Sequence, residues 1–492
     1  MTNPFTRKTW KIVQAVCICL VTILVSPTIQ GAQSAVATPA EPLCRFGVNH
    51  ANAGALTSFP LSALNAGFFI DYMADTAAKP ANMEQLRMVR LSQPDKSNTN
   101  YSFSPGMSTI ASLAQTDPGA IWLLGNEPDR TIYQDDLTPE AYARAYHELR
   151  QAIKDIDPAA IVVAGNIVQA SPLRLRYLDL VLAAHRSAYG ANMEVDAWGI
   201  HAFILNEQAG QWGADIPRGV SATEGWVLTT AQNADFSLFQ QQIVDFRTWM
   251  AANGYRHKPL FITEYGVLMP DGYGYGPFSP PEVSAYMTRT FDYMLHTTDP
   301  GIGYPADDNR LVQHFSWYSV NDKIKLVNGN FVGFNGYLFD PDLGNLRSPM
   351  GDAYANYTAQ VMSQTDLLVS DMHFSPAILL ESNGSVTVTI QVNVGNAGNT
   401  VSAKDFTLRL YRGNPDNGGQ LFSGGEFVGS VAGCGSSRTY TYIWPDVTPG
   451  EYDIFAVVSP GAGITDVKSS NNQLQRKLFF ATDLAYLPTI WR

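Results

Sequence analysis

Between Arg45 and Val320 the chain alternates short apolar runs with longer stretches of helical period, and this alternation constrains the fold more than any other feature. Eight runs read as strands: Arg45 to His50, Gly67 to Tyr72, Arg87 to Ser92, Ala120 to Asn126, Ala160 to Asn166, Val195 to Phe203, Pro259 to Tyr265 and Leu311 to Val320. Near-continuous apolar runs of this length are typical of parallel strands buried on both faces. Helical patterns lie between them. In Pro139 to Ile156, Thr138 suits the N-cap, Pro139 the first helical position, and Tyr142, Tyr146, Leu149 and Ile153 fall on one stripe. Asp235 to Met250 and Pro280 to His296 read as further helices. Eight such units predict a (β/α)8 TIM barrel. A doubly wound sheet usually carries a glycine-rich first turn. Ala51-Asn52-Ala53-Gly54 after the first strand is no such turn, and Gly272-Tyr273-Gly274-Tyr275-Gly276 runs into Pro277.

Near Gln364 the period changes from helical to two. Val386 to Val392, Phe406 to Tyr411, Tyr440 to Trp444 and Tyr452 to Val458 alternate apolar and polar residues, with turn residues between the runs. A chain of 492 residues exceeds one ordinary core. The expected class is therefore α/β: a barrel over 44–362, then a smaller all-β immunoglobulin-like sandwich over 366–480, with a tail at 481–492.

The first 34 residues read as an export signal. Arg7, Lys8 and Lys11 precede the mostly apolar Ile12 to Val25, and small residues around Ala32 and Ser34 offer cleavage points. The apolar run is short for a membrane span. Residues 35–43, rich in Ala, Pro and Thr, read as a linker. Of four cysteines, Cys17 and Cys19 would leave with the signal; Cys44 and Cys434 remain, as a disulfide or as two free thiols. A net charge of -12 argues against nucleic acid or an anionic membrane as partner. Zinc-spaced cysteines, a His-Glu-x-x-His stretch, an EF-hand loop and a Gly-x-Ser-x-Gly elbow are all missing, so neither a metal nor a cofactor is expected.

Two of the eight strands end on glutamate: Ile121-Trp122-Leu123-Leu124-Gly125-Asn126-Glu127-Pro128 and Pro259-Leu260-Phe261-Ile262-Thr263-Glu264-Tyr265-Gly266. A buried carboxylate is costly, so two of them suggest a shared pocket. Hydrolysis of a glycoside with retention needs two carboxyl groups about 5–5.5 Å apart, one donating a proton and one attacking. A barrel supplies them from the C-terminal ends of different strands, here the fourth and seventh. Either glutamate alone reads best as a rim salt bridge; the pair points to catalysis.

The segments Gly125-Asn126-Glu127-Pro128 and Thr263-Glu264-Tyr265-Gly266 resemble the two signatures of clan A glycoside hydrolases. The resemblance covers about Arg45 to Tyr357. It implies a retaining glycosidase acting on a polysaccharide or oligosaccharide, with Glu127 as acid/base and Glu264 as nucleophile. It also implies a sugar contact for Asn126 and a place near the nucleophile or sugar for His201. Trp317 matches the aromatic floor under the reacting sugar. Many relatives carry a tyrosine two residues after that histidine; Phe203 stands there, leaving Tyr265 or a loop tyrosine to supply the hydroxyl.

Asn49, His50, Arg90 and Gln93 lie near the ends of the first and third strands, where they can line the pocket. Trp212 and Trp226 in the loop from Leu205 to Asn233, and Tyr273, Tyr275 and Phe278 in the loop from Val267 to Ser279, suit contact with an extended glycan; loop self-packing explains them nearly as well. The second domain resembles the CARDB type of bacterial adhesion-related sandwich, through Asp366-Leu367-Leu368-Val369, Val394-Gly395-Asn396-Ala397-Gly398-Asn399 and Ser470-Asn471-Asn472-Gln473. That resemblance implies an extracellular or cell-surface location and contact with a cell surface or wall. A non-catalytic glycan-binding protein and a transglycosylase are the competing readings. The identity of the glycan, and endo or exo action, stay open.

Overall fold

The computed structural model describes residues 41–481 except 52–54, 76, 132–133, 377 and 381–384. The expected signal at 1–34, with Cys17 and Cys19, most of the 35–43 linker, and residues 482–492 of the tail lie outside the described residues. The described residues belong to one compact unit.

The barrel strands are β1 (Leu43–Asn49), β2 (Ala66–Ile70), β3 (Glu84–Gln85), β4 (Arg87–Ser92), β6 (Ile121–Leu124), β7 (Ile161–Ile167), β8 (Ala197–Ile200), β9 (Leu260–Tyr265) and β10 (His314–Tyr318), while β5 (Ser102–Ser104) adds antiparallel to β4. The sheet order is β3-β2-β1-β10-β9-β8-β7-β6-β4-β5. Its two ends are one stretch of chain, since only Leu86 separates β3 from β4. Glu84 and Gln85 pair with β2, and Arg87 to Val89 pair with β6. Leu86 and Met88 also donate their N–H groups to Phe69 and Met73, both at 3.0 Å. The sheet thus curls shut into eight parallel positions, as the strand count requires.

Among the described residues six α-helices cover it: α1 (Met107–Thr116), α2 (Pro139–Ile156), α3 (Pro172–Tyr189), α4 (Phe236–Ala252), α5 (Pro280–His296) and α6 (Pro349–Thr358). The first two crossovers depart from the expected repeat. Two short 3-10 turns, Leu56–Ser58 and Leu61–Leu64, join β1 to β2, and among the described residues no α-helix joins β2 to β3. A proline interrupts each of these connections, Pro60 in the first and Pro80 in the second. Helix α2 begins and ends where its capping residues predict: the Thr138 hydroxyl accepts from Ala141 N, and Tyr142, Tyr146, Leu149 and Ile153 are buried. Tyr142 then ties the site together, donating to Leu124 O at 3.0 Å and accepting from Gly165 N at 2.8 Å.

After β10 come two hairpins, β11 (Lys325–Val327) with β12 (Asn330–Val332), and β13 (Phe339–Asp340) with β14 (Leu346–Arg347). The sandwich stacks a three-stranded sheet, β15 (Leu367–Ser375), β17 (Val386–Asn396) and β20 (Ser436–Val447), on a five-stranded one. The latter holds β16 (Ile378–Leu380), β18 (Lys404–Arg412), β19 (Gln420–Val431), β21 (Gly450–Pro460) and β22 (Gln473–Ala481). Alternate residues of β17, namely Val388, Ile390, Val392 and Val394, point into its core. A disulfide joins Cys44 in β1 to Cys434. Beside it Arg45 is buried against Asp307 and donates to the carbonyls of Ala397 and Gly398.

Candidate active site

At the C-terminal pole the strand ends surround a cavity of about 240 Å³, lined in part by Tyr72, Arg90, Asn126, Glu127, Arg130, Glu264, Tyr318 and Phe334. The fourth barrel strand delivers Glu127 through an unusual turn. Gly125 (φ +86°) and Glu127 (φ +47°) both lie in the left-handed region. Such a conformation in a non-glycine residue costs on the order of 1–2 kcal/mol and persists only where the surroundings enforce it. Here they do. Glu127 N donates to Asn166 O at 3.0 Å, and Asn126 N donates to the Asp135 carboxylate at 2.7 Å. Asp135 also accepts from Leu91 N and Arg90 Nε, which locks the turn to the third strand.

The seventh strand delivers Glu264 by a bulge. β9 and β10 pair at Phe315↔Ile262 and next at Trp317↔Tyr265, so two residues of β9 stand opposite one of β10. An extra residue of this kind re-aims side chains. Glu264 enters the cavity, and Tyr265 turns outward beneath the helices, where Thr290 of α5 donates to its hydroxyl and Phe239 of α4 packs on its ring.

His201, just after β8, stands between the two glutamates. Its Nδ1 is 3.0 Å from Glu127 Oε1, and its Nε2 is 3.3 Å from Glu264 Oε1. The first contact is an aligned hydrogen bond; the second is close but not aligned. Arg130 Nη1 takes the other Glu127 oxygen at 3.0 Å. Tyr72, two residues past the second strand, reaches the Glu264 carboxyl and draws its pKa downward. Asn126 Oδ1, His201 Nε2, Glu264 Oε1 and Tyr72 OH are all buried without a hydrogen-bond partner, an unusual concentration of unused polar capacity in one place.

The glutamates sit in different electrostatic surroundings. Burial raises the Glu264 carboxyl to about 7, with the Glu127 charge adding to the rise and His201, Tyr72 and Arg90 opposing it. Burial also pushes Glu127 upward, but the Arg130 charge and the His201 hydrogen bond outweigh it and hold Glu127 at about 2. The surroundings thus push the two carboxyls in opposite directions, Glu264 up and Glu127 down, and the two titrate as a pair. His201 is raised: burial opposes its charge, and the two carboxylates overcome that penalty.

A buried network fixes the rim behind Glu127. Arg174 of α3 reaches Asp129 and Glu207, both at 2.9 Å, and the Ala214 carbonyl. Glu207 accepts in turn from Ser171 and from Trp226 N. The long loop after β8 is thereby tied to the Glu127 turn.

Of the residues singled out from the sequence, Glu127, Glu264, Asn126, His201 and Arg90 converge on the cavity or touch its carboxylates. Others do not. Trp317 is not a cavity floor: it is wholly buried, donates to Gly336 O at 2.8 Å and meets Tyr265 edge-on. Successive strand residues face opposite ways, so its neighbour Tyr318 faces the cavity instead. Tyr265 is likewise turned away, and the phenol beside Glu264 is that of Tyr72. Asn49 is used inside the barrel, donating to Thr263 O and accepting from Ser316. Gln93 holds the start of α2 through Thr138 N, and His50 packs edge-on to Phe59. Trp212 is half-buried against the cluster containing Phe203 and Tyr318, and Tyr275 packs on Phe331. Sequence reading missed Tyr72, Arg130, Gln134, Tyr318 and Phe334. Arg130 alone had a local signal, standing three residues after Glu127.

Comparison with known proteins assigns the second domain. Residues 364–476 match the CARDB family model, and the sandwich is a CARDB domain. No curated protein matches the chain. Among solved structures, the chain is similar to an endo-beta-1,3-glucanase of family GH128 (subgroup I) from Amycolatopsis mediterranei, in complex with laminaritriose. The identity is 18%, over 64% of this chain and 99% of that one, with a TM-score of 0.39. A monomeric beta-xylosidase from Caulobacter crescentus CB15 is 13% identical over 83% of this chain and 95% of its own, with a TM-score of 0.41. The CARDB domain of a Pyrococcus furiosus protein is 18% identical over 25% of this chain and all of its own, at a TM-score of 0.20.

Proposed function

We propose that the chain is an exported retaining glycoside hydrolase that cleaves O-glycosidic bonds of a glycan by double displacement. The observation that carries the reading is the pair of buried carboxylates at the ends of the fourth and seventh strands, sharing one cavity and one bridging histidine. Glu264 attacks the anomeric carbon and forms a glycosyl ester while the glycosidic C–O bond breaks. Glu127 gives its proton to the departing oxygen. A water molecule then attacks the anomeric carbon, Glu127 takes the water's proton, and the ester bond breaks to free Glu264.

These roles need the proton on Glu127, whereas the surroundings in the ligand-free site favour it on Glu264. His201 connects the two. With hydrogen on Nδ1 it passes that proton to Glu127 Oε1 and takes the Glu264 proton on Nε2. The transfer also needs Arg130 to loosen its hold on Glu127 Oε2. Arg130 stands at the cavity wall and is about one-fifth exposed, so an entering sugar meets it directly.

Export is consistent with the Cys44–Cys434 disulfide, a bond that persists in oxidising compartments. The CARDB domain would then hold the barrel at a cell surface or wall.

The test is a panel of polysaccharides and aryl glycosides with product analysis. Release of new reducing ends with the anomeric configuration kept, and abolished in Glu264→Gln, is the expected result. Full activity in Glu264→Gln, or binding without turnover across the panel, overturns the reading.

A further inference from the structure

Beside the cavity stands an apolar wall that the cleavage chemistry does not need. Among the described residues the β11–β12 hairpin pairs with no other sheet. An isolated hairpin is marginal in water, yet this one exposes Leu326, Val327 and Val332. Its Phe331 is held edge-on by two rings of the neighbouring loop, Tyr273 at 5.2 Å and Tyr275 at 5.8 Å. Asn335 welds the two segments together by donating to the carbonyls of Met269 and Phe278. Phe334, 38% exposed, lines the cavity itself and packs edge-on to Tyr318 at 5.7 Å. Phe334 in the cavity thus lies three residues after Phe331, whose ring meets Tyr273, itself 77% exposed.

Loop self-packing accounts for the Phe331 contacts. It does not account for Tyr273 standing in solvent or Phe334 standing in the cavity. Large apolar side chains left exposed together beside a cavity mark a binding surface. Its occupant follows from continuity with the cavity and from charge. The wall leads out of the cavity, so what lies on it is the remainder of whatever enters. The lysines at the hairpin are neutralised, Lys323 by Asp340 and Lys325 by Asp342, both at 2.7 Å, so the surface selects no anion. Sugar rings present flat C–H faces that such rings bind.

We infer that the β11–β12 hairpin and the Val267–Ser279 loop form an extended subsite for a neutral glycan chain, engaging sugars beyond the one being cleaved. This rests on the glycosidase reading above and adds the chain length that the site demands. The experiment measures kcat/KM for a ladder of oligosaccharides cut from the best polysaccharide, in the full chain, for wild type, Tyr273→Ala and Phe331→Ala. The wild type is expected to favour long substrates, and each variant to lower the long-to-short ratio about tenfold, mainly through KM. Tyr273 is too exposed for its loss to unfold the protein, so it keeps the test valid if Phe331→Ala folds poorly. An unchanged ratio in Tyr273→Ala, or no length preference in the wild type, overturns the subsite. Loss of activity in Glu264→Gln alongside an unchanged ratio leaves the glycosidase reading standing and removes only this inference.

Discussion

Both poles of the barrel bury carboxylates beside cations and histidine, but they spend that charge differently. At the N-terminal pole, Asp307 accepts four hydrogen bonds: two from Arg45, one from Arg310 and one from Gln313. Arg45 in turn donates to two carbonyls of the CARDB domain. At the C-terminal pole, the nearest cation to Glu264 is an unaligned histidine, and among the described residues Oε1 is left without a hydrogen bond. Saturated charge of the first kind fixes geometry. Unsaturated charge of the second kind is unstable alone and becomes useful when a ligand completes it. The histidines repeat the contrast. His201 is drawn upward by two carboxylates despite its burial. His314, at the other pole, is depressed to about 3 by burial, with the Arg45 charge adding to the effect.

The sharpest way to break the comparison is to remove one carboxylate from each pole. Glu264→Gln is expected to cut kcat by roughly a thousandfold or more while leaving the melting temperature near that of the wild type. Asp307→Ala is expected to do the opposite. Leaving Arg45 buried without its partner costs about 3–5 kcal/mol, read by denaturant unfolding, with activity per folded molecule retained. If Asp307→Ala lost activity without losing stability, the division between the poles would be wrong.

The histidines give a smaller effect with a definite sign. Below the ordinary histidine value of 6.5, the unfolded chain takes a proton that folded His314 refuses. Stability from this residue is therefore complete above 6.5 and falls as pH drops from there toward about 3, by up to about 1.4 kcal/mol per pH unit. His314→Phe, set among Phe68 and Phe261, should flatten that slope in unfolding curves taken between pH 6.5 and 4. His201→Phe should leave the slope largely as it is and lower kcat about a hundredfold. Equal slopes in wild type and His314→Phe would dismiss the argument.

How much of this the sequence could reveal depends on whether the information was local. Glu127 and Glu264 are legible because a carboxylate at the end of an apolar strand conflicts with its surroundings and asks for a reason. Helix α2 is legible because Thr138 and Pro139 cap it within one turn. The choice between Trp317 and Tyr318 is not local. It is set by which face of the last strand meets the cavity, and the bulge in β9 shifts the register against which that face is judged. Tyr72 could not be matched to Glu264 because the two meet only once the barrel closes, through a backbone at φ +60°. Among the described residues the first two crossovers hold no α-helix, although the strand alternation predicts one for each.

The smallest expected effect is also the one that reports most directly on how the C-terminal pole distributes its proton. The positive charge of Arg130 favours the ionised form of Glu127, so Arg130→Gln raises the Glu127 pKa from about 2. In a profile of kcat/KM against pH, the acid limb reports the first carboxylate of the free enzyme to ionise and the alkaline limb the loss of the shared proton. The alkaline limb is expected near 7, where Glu264 gives that proton up and no acid remains for the leaving group. Arg130→Gln should move the acid limb upward by about one unit, and Arg130→Lys, which keeps the charge, should leave it close to the wild type. A purely structural role for Arg130 would lower the whole profile and leave its limbs in place. That outcome would mean that burial and His201 alone set the state of Glu127, and that the two glutamates differ less than their neighbours suggest.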